Sequence, residues 1–507
     1  MTDQAPGLPV VTLGPGAVRG TADGGVASFK GIPYAAPPVG STRFAAPQPV
    51  EPWGDVRDAT AYGPTPSKPS YQPPFDTMLS DPRIAGDEVL NLNVWTPESV
   101  LAADAEPLPV LVWIHGGAFR AGSGAVGTYD GSAFARDGVV CVTINYRLGM
   151  DGFGLLPDAP DNRGLLDQLA ALRWVQAEIA AFGGDPGRVT IAGESAGAMS
   201  AVTLLASPAA RGLFHGVIAQ SGAGHHVQSR ESAERIAAEL GRRRDVEPTA
   251  AGFGTVPVDD FIAAQLELST EVSTTDRLAW GDVGLDGMPF EPVIDGEIVP
   301  VRPVEGLADA AEDGAGAGIP LLIGANAEEY RFWLVPLGIL DKVTADALPF
   351  AGDAYRLPAE SAARYADAPT PGDGLEALIG DWFFRIPAIR AAEARWGSRG
   401  ATHLYEFRWR SPCLDGQLGA AHAVEIAFAF DTTAVQSGWG MIGPDAPQEL
   451  ADEMHAAWVA FVRDGAPGWP AYEPERRAVR IFGGDTGPGA IEDDPQGARR
   501  EVWDGLR

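Results

Sequence analysis

A serine, a carboxylate and a histidine in that chain order can carry out acyl transfer, and this sequence offers such a set. Ser195 stands in Gly193-Glu194-Ser195-Ala196-Gly197, between the apolar segment Val189–Ala192 and a run of small, helix-compatible residues. This is the pattern of a nucleophile elbow, a serine on a sharp turn from strand to helix. By itself the pattern is weak, because 63 of the 507 residues are glycine. A serine hydroxyl needs a histidine base, and the base needs a carboxylate to hold its tautomer and stabilise its cation. His403, His422 and His455 lie far enough downstream. His403 opens a strand and His455 falls on an amphipathic helix, settings that suit structural histidines. His422 stands in a loop of small residues, Gly419-Ala420-Ala421-His422-Ala423, and is the candidate base. Asp295, Glu328 and Glu329 are the candidate acids. Asp295-Gly296 reads as turn chemistry, whereas the two glutamates close an apolar strand, where α/β sites collect their residues. Spacing does not choose between Glu328 and Glu329. Glu425 is too near His422 in sequence to be the acid and reads as a residue that orients the loop.

These residues need a scaffold, and the patterning supplies one. Val110–Ile114 is a continuous apolar run suited to a buried strand. It empties into His115-Gly116-Gly117-Ala118-Phe119, a small-residue turn whose backbone N–H groups are free to converge on an oxyanion. Val139–Tyr146 reads as another buried strand. From Gly164 to Phe182 the residues Leu165, Leu169, Leu172, Val175, Ile179 and Phe182 recur at helical steps, and Gly183-Gly184 with Asp185-Pro186 stops the helix. Val189–Ala192, Val217–Ala219, Ile319–Gly324, Leu404–Trp409 and Ala478–Phe482 supply further strands, the last followed by a polar tail. Strand, helix, strand, turn, helix is the order of a parallel sheet with crossovers. Val10–Ala36 reads as an edge β meander. The Pro-rich run from Pro37 to Pro74, with Tyr71, Phe75, Met78 and Leu79 near its end, either packs its own aromatics or walls the active site.

The whole-chain properties exclude several classes. A net charge of −31, from 37 basic and 68 acidic residues, argues against nucleic acid and anionic membrane as partners. No run approaches the roughly 18 apolar residues of a membrane span, and the amino terminus lacks a basic region followed by an apolar one. Cys141 and Cys413 differ in context and read as free thiols. The longest low-complexity patch is the short run Gly314–Gly318. A cytoplasmic bacterial protein, a monomer or weak homodimer, is expected, with no cofactor and no metal.

The blocks FKGIPYAAPPVG, LNLNVWTP, PVLVWIHGGAF, NRGLLDQLAALRWVQAEIAAFGGDPGRVTIAGESAGA, GVIAQSGA and GAAHAVEIAF resemble, over nearly the whole chain, those of the type-B carboxylesterase family, and most of all its bacterial, particularly actinobacterial, members and the para-nitrobenzyl esterases. The resemblance implies an α/β-hydrolase fold: one domain over 1–507, a large mostly parallel sheet flanked by helices, an N-terminal β meander, and helical insertions at roughly 230–318 and 330–400 bordering the site. It implies hydrolysis of small-molecule carboxylic esters through an acyl-enzyme, with carbamate or amide hydrolysis by the same triad, or a non-catalytic binding module, as alternatives. By the family pattern the nucleophile is Ser195, the base His422 and the acid the second strand-end glutamate, Glu329. The oxyanion donors are Gly117, Ala118 and Ala196, and Glu194 acts on the electrostatics of the site. This chain departs in having Ala118 for a common glycine, Tyr330 for the usual glycine after the acid, and Val89 where secreted relatives have a disulfide cysteine. The last change implies a freer loop around Tyr71–Leu79. Phe119, Trp280, Phe332, Trp333 and Trp409 are the aromatic candidates for the pocket wall.

Overall fold

The computed structural model describes residues 8–506 except 103, 275–276, 314–315 and 317, so most of the Gly314–Gly318 run lies outside the described residues. Among the described residues there are fourteen strands: β1 (Val10–Thr12), β2 (Ala17–Arg19), β3 (Thr21–Asp23), β4 (Val26–Pro33), β5 (Arg57–Asp58), β6 (Asn91–Pro97), β7 (Leu108–Ile114), β8 (Val140–Ile144), β9 (Gly184–Glu194), β10 (Gly216–Gln220), β11 (Leu321–Asn326), β12 (Thr402–Phe407), β13 (Ala478–Phe482) and β14 (Ile491–Asp493). Eleven form one sheet in the order β14-β13-β12-β11-β10-β9-β7-β8-β6-β4-β3, and β1, β2 and β5 form a small second sheet. The stretch from β8 to β13 is parallel. Antiparallel strands β6, β4 and β3 extend one edge and β14 the other.

Alternation along β7 shows why the sheet is buried on both faces. Val110, Val112 and Ile114 enter one apolar cluster and Leu111 and Trp113 the other, which is what a continuous apolar strand requires when helices cover both sides. The helix Arg163–Glu178 buries Leu165, Leu169, Leu172 and Val175, the face read from the sequence. Between β10 and β11 run the helices Arg230–Arg244, Val258–Thr274 and Pro303–Asp313, and between β11 and β12 the helical segments from Arg331 to Ala394. Cys141 is buried and Cys413 half-buried, both as free thiols.

The tail departs from expectation. After Phe482 the chain forms β14 and a helical turn, Gly497–Glu501. Trp503 beyond it is fully buried, its Nε1 donating to Tyr365 Oη at 2.7 Å. A single aromatic carries the packing, and the surrounding charges hide it from any reading by average polarity.

Candidate active site

The turn after β9 places Ser195 in a conformation that side chains rarely adopt, with φ 56° and ψ −124°. Such a position stores on the order of 1–3 kcal/mol and persists only where its neighbours enforce it. Here they do. A Cβ on Gly193 would stand 2.4 Å from the Gly197 carbonyl carbon, and one on Gly197 would stand 1.9 Å from Ile114 O. Ser195 N–H donates to Gln220 O on β10 at 2.9 Å, and the helix Ala196–Ala206 carries the chain away. The serine is half-buried among otherwise buried neighbours.

Two strands across, the two adjacent glutamates differ in what they touch. Glu328 holds Ala420 N–H at 2.9 Å and is paired with Arg331 and Arg410. Glu329 is buried, accepts Asn326 N–H on Oε1 at 2.7 Å, and sets Oε2 2.7 Å from His422 Nδ1. The backbone repeats the contact, His422 N–H donating to Glu329 O at 3.2 Å. Glu425 bonds neither serine nor histidine. It accepts from Gln220 Nε2 at 3.1 Å and Asn326 Nδ2 at 2.6 Å, and so ties β10, β11 and the histidine loop together. Asp295 is a turn residue, accepting the N–H groups of Glu297 and Val299. His455 bonds Ala429 O, and His403 lies in β12 with its pKa lowered by burial.

His422 has a second carboxylate neighbour: its Nε2 stands 3.0 Å from Glu194 Oε1. Burial by itself would lower the imidazole pKa, but the Glu194 and Glu329 carboxylates outweigh it and hold His422 well above the ordinary range. Glu194 is raised, by burial first and by Glu329 as well, with His422 opposing. Burial, with help from the same two carboxylates, pushes Glu425 up to about 8.

The turn after β7 crosses close above the serine. A Cβ on Gly116 would stand 3.1 Å from Ser195 Cβ. Gly117, Ala118 and Phe119 all have positive φ, at 114°, 52° and 57°, and Arg120 and Ala121 N–H both donate to Gly117 O. Tyr146 Oη fixes the start of the turn on His115 O at 2.7 Å. Among the described residues the N–H groups of Gly117 and Ala118 have no hydrogen-bond acceptor, and both residues are half-buried. Ala196 N–H, in the first turn of its helix, has no intrahelical partner by geometry.

The five aromatic candidates separate. Trp333 and Phe332 lie 5.1 and 6.0 Å from the His422 ring. Phe119 instead packs on Phe153 inside the core and Trp409 on Phe428, while Trp280 is buried in the main apolar cluster. Phe384, which the sequence reading missed, comes nearer than any of these, at 4.6 Å. It sits in a π-helical turn, Asp381–Arg385, between the helices Pro371–Gly380 and Ile386–Ala394, a distortion often found where a helix must aim a side chain at a site. Phe75 packs on Phe332, their rings 5.3 Å apart.

The residues flanking the Tyr71–Leu79 loop are tied together. Lys68 is buried, with Nζ 2.8 Å from Asp81 and donating to Gly122 O at 3.0 Å, while Arg83 Nη2 donates to Lys68 O. Lysine occurs only at Lys30, Lys68 and Lys342, so its presence in a Pro-rich run was the available signal. One group among the described residues has a metal-ligand arrangement, His226, Asp286 and Glu291, whose ligand atoms lie within 4.8 Å of one another. Nε2 of that histidine is committed to Phe383 O at 2.9 Å, and the acyl-transfer chemistry does not draw on the group.

A model of the carboxylesterase family matches residues 7–481. The chain is 36% identical over 505 residues to a para-nitrobenzyl esterase of Bacillus subtilis (strain 168), covering 97% of this chain and 98% of that one. It is 34% identical over 507 residues to a phenmedipham hydrolase of Pseudarthrobacter oxydans, covering 94% and 95%. Among solved structures, a PNB esterase superposes with a TM-score of 0.81 at 35% identity over 97% of this chain and 99% of that one. A carboxylesterase of Geobacillus stearothermophilus does so with a TM-score of 0.80, also at 35% identity and over 97% and 99%.

Proposed function

This chain belongs to the carboxylesterase family and is a serine carboxylesterase, and we propose that Ser195 is its nucleophile, His422 its general base and Glu329 the acid that holds the base. The observation that carries the assignment is the 2.7 Å contact of His422 Nδ1 with Glu329 Oε2 beside a serine held at positive φ. His422 Nε2 takes the hydroxyl proton as Ser195 Oγ attacks the ester carbonyl, exchanging its contact with Glu194 for the serine. Glu329 keeps the working tautomer and stabilises the imidazolium. The N–H groups of Gly117, Ala118 and Ala196 receive the oxyanion. Collapse of the tetrahedral intermediate returns the proton to the departing alcohol. Water, deprotonated by the same imidazole, then cleaves the acyl-serine. Glu194 supports the charge on the imidazole, and Phe332, Trp333 and Phe384 exclude water from it.

Ser195→Ala is expected to lower ester turnover on the order of 10³-fold or more and to abolish labelling by a fluorophosphonate; near-normal turnover by the variant would remove Ser195 from the mechanism. The free thiols of Cys141 and Cys413 support placement in a reducing compartment, the cytoplasm. A monomer or weak homodimer is the proposed solution state, to be read by sedimentation.

A further inference from the structure

We infer that Arg120, three residues beyond Gly117, binds a carboxylate carried by the ester substrate, so that the site favours esters bearing a free acid over their neutral counterparts. The inference rests on the Ser195 reading and names a substrate class for it.

Arg120 belongs to the oxyanion turn. Its N–H donates to Gly117 O at 3.1 Å, and the next residue, Ala121, donates to the same carbonyl, so its backbone is fixed relative to the proposed oxyanion donors. Its side chain is half-buried and makes no hydrogen bond or ion pair with any described residue. This is unusual for an arginine enclosed by this protein. Arg147 is paired with Asp167, Arg331 with Glu328 and Asp373, and Arg385 and Arg499 with Asp381. Arg163 spends its guanidinium on the carbonyls of Asp151, Pro160, Met150 and Gly154, and Arg395 on Ile319 O and Thr402. With 68 acidic residues in the chain against 37 basic ones, carboxylate partners are abundant, and the one cation on the oxyanion turn has none.

Tyr71 lies on the segment docked against this turn, where Lys68 Nζ donates to Gly122 O at 3.0 Å, two residues beyond Arg120. Its phenol is also half-buried and without a hydrogen bond to a described residue. Burial pushes that phenol up, Asp81 and Glu194 push it further, and Arg120 pulls it back. Arg120 and Tyr71 thus act on one another's charge beside the turn that leads from β7. A planar guanidinium with a phenolic donor is a matched pair for a carboxylate. Negative charge nearby opposes such a ligand and does not prevail. Glu194 already faces His422 at 3.0 Å, Asp81 is paired with Lys68 and Arg83, and the field of the distant surface carboxylates is screened beyond about 8 Å at physiological salt.

Two ester pairs test the assignment, one with the acid on the acyl side (mono-para-nitrophenyl adipate against para-nitrophenyl hexanoate) and one with it on the alcohol side (para-carboxyphenyl butyrate against its methyl ester). In at least one pair the unaltered protein should prefer the acid in kcat/KM. Arg120→Leu should cut that preference roughly ten- to a hundred-fold, the scale of a lost charge-assisted hydrogen bond, mainly through KM. Arg120→Lys should restore part of it. Turnover of the neutral ester by both variants reports that they are folded. Equal losses on acid and neutral ester, or no preference for the acid in either pair, would overturn the inference while leaving the esterase reading in place. Failure of the unaltered protein to cleave any of the four would overturn the reading of the site itself.

Discussion

One imidazole meets two carboxylates, Glu329 at Nδ1 and Glu194 at Nε2. The base works neutral, so a pKa held above the ordinary imidazole range moves the acid limb of kcat/KM to higher pH than an isolated histidine would give. Glu194→Gln removes one of the two charges and should shift that limb towards lower pH, as read from a full pH–rate profile. An unmoved limb would show that Glu194 does not act on the base. Glu329→Gln should instead lower kcat on the order of 10³-fold or more, because the tautomer itself is lost. At this scale much of the site was legible. Ser195 was marked by the glycines that its turn requires, and His422 by standing alone in a loop of small residues. Glu328 and Glu329 were not separable by spacing, since adjacent residues share an environment in sequence and only the fold gives one to Arg331 and Arg410 and the other to the imidazole. Arg120 escaped notice because an unpaired cation is visible only once every potential partner has been placed.

The turn after β7 is an element in which neighbouring residues carry opposite constraints. Gly117 has φ 114°, and a Cβ there would lie 2.3 Å from Ala121 O. Gly117→Ala must therefore displace the turn, and a loss of about 10²- to 10³-fold in kcat is expected, the scale of a lost oxyanion donor. Ala118 already has a Cβ at φ 52°. Ala118→Gly relieves that strain, so turnover should stay within a few-fold and the midpoint of thermal unfolding should not fall. Measuring both variants side by side separates damage to the turn from damage to the chemistry. The strands and the helix Arg163–Glu178 were readable because burial imposes a period on their sequences. The π-helical turn that aims Phe384 at His422 was not, because Asp381-Trp382-Phe383-Phe384-Arg385 is apolar on successive residues and fits no single face. Trp503 was missed for the converse reason, one buried ring set among charges.

Across the whole molecule, buried carboxyl groups set a pH dependence separate from catalysis. Burial pushes Glu376, which accepts the Tyr330 N–H, and Glu425 each up to about 8. Between the unfolded value of about 4.5 and the folded value of about 8 the folded chain holds protons that the unfolded chain has released. Their contribution to stability is therefore full below pH 4.5 and falls as pH rises towards 8. Glu376→Gln keeps an acceptor for Tyr330 and removes one of these protons, so its unfolding midpoint should fall less than that of the unaltered protein between pH 5 and pH 8. Parallel slopes would show that Glu376 is ionised in the fold. The Lys68–Asp81–Gly122 brace beside the cleft has a consequence of another kind. A latch made of charge closes as soon as the chain folds and needs no oxidant to set it. Thiol reductants should leave proteolysis of the 66–84 segment unchanged, whereas Asp81→Asn should speed it. The segment that carries Phe75 onto Phe332, beside His422, is set in place by folding alone.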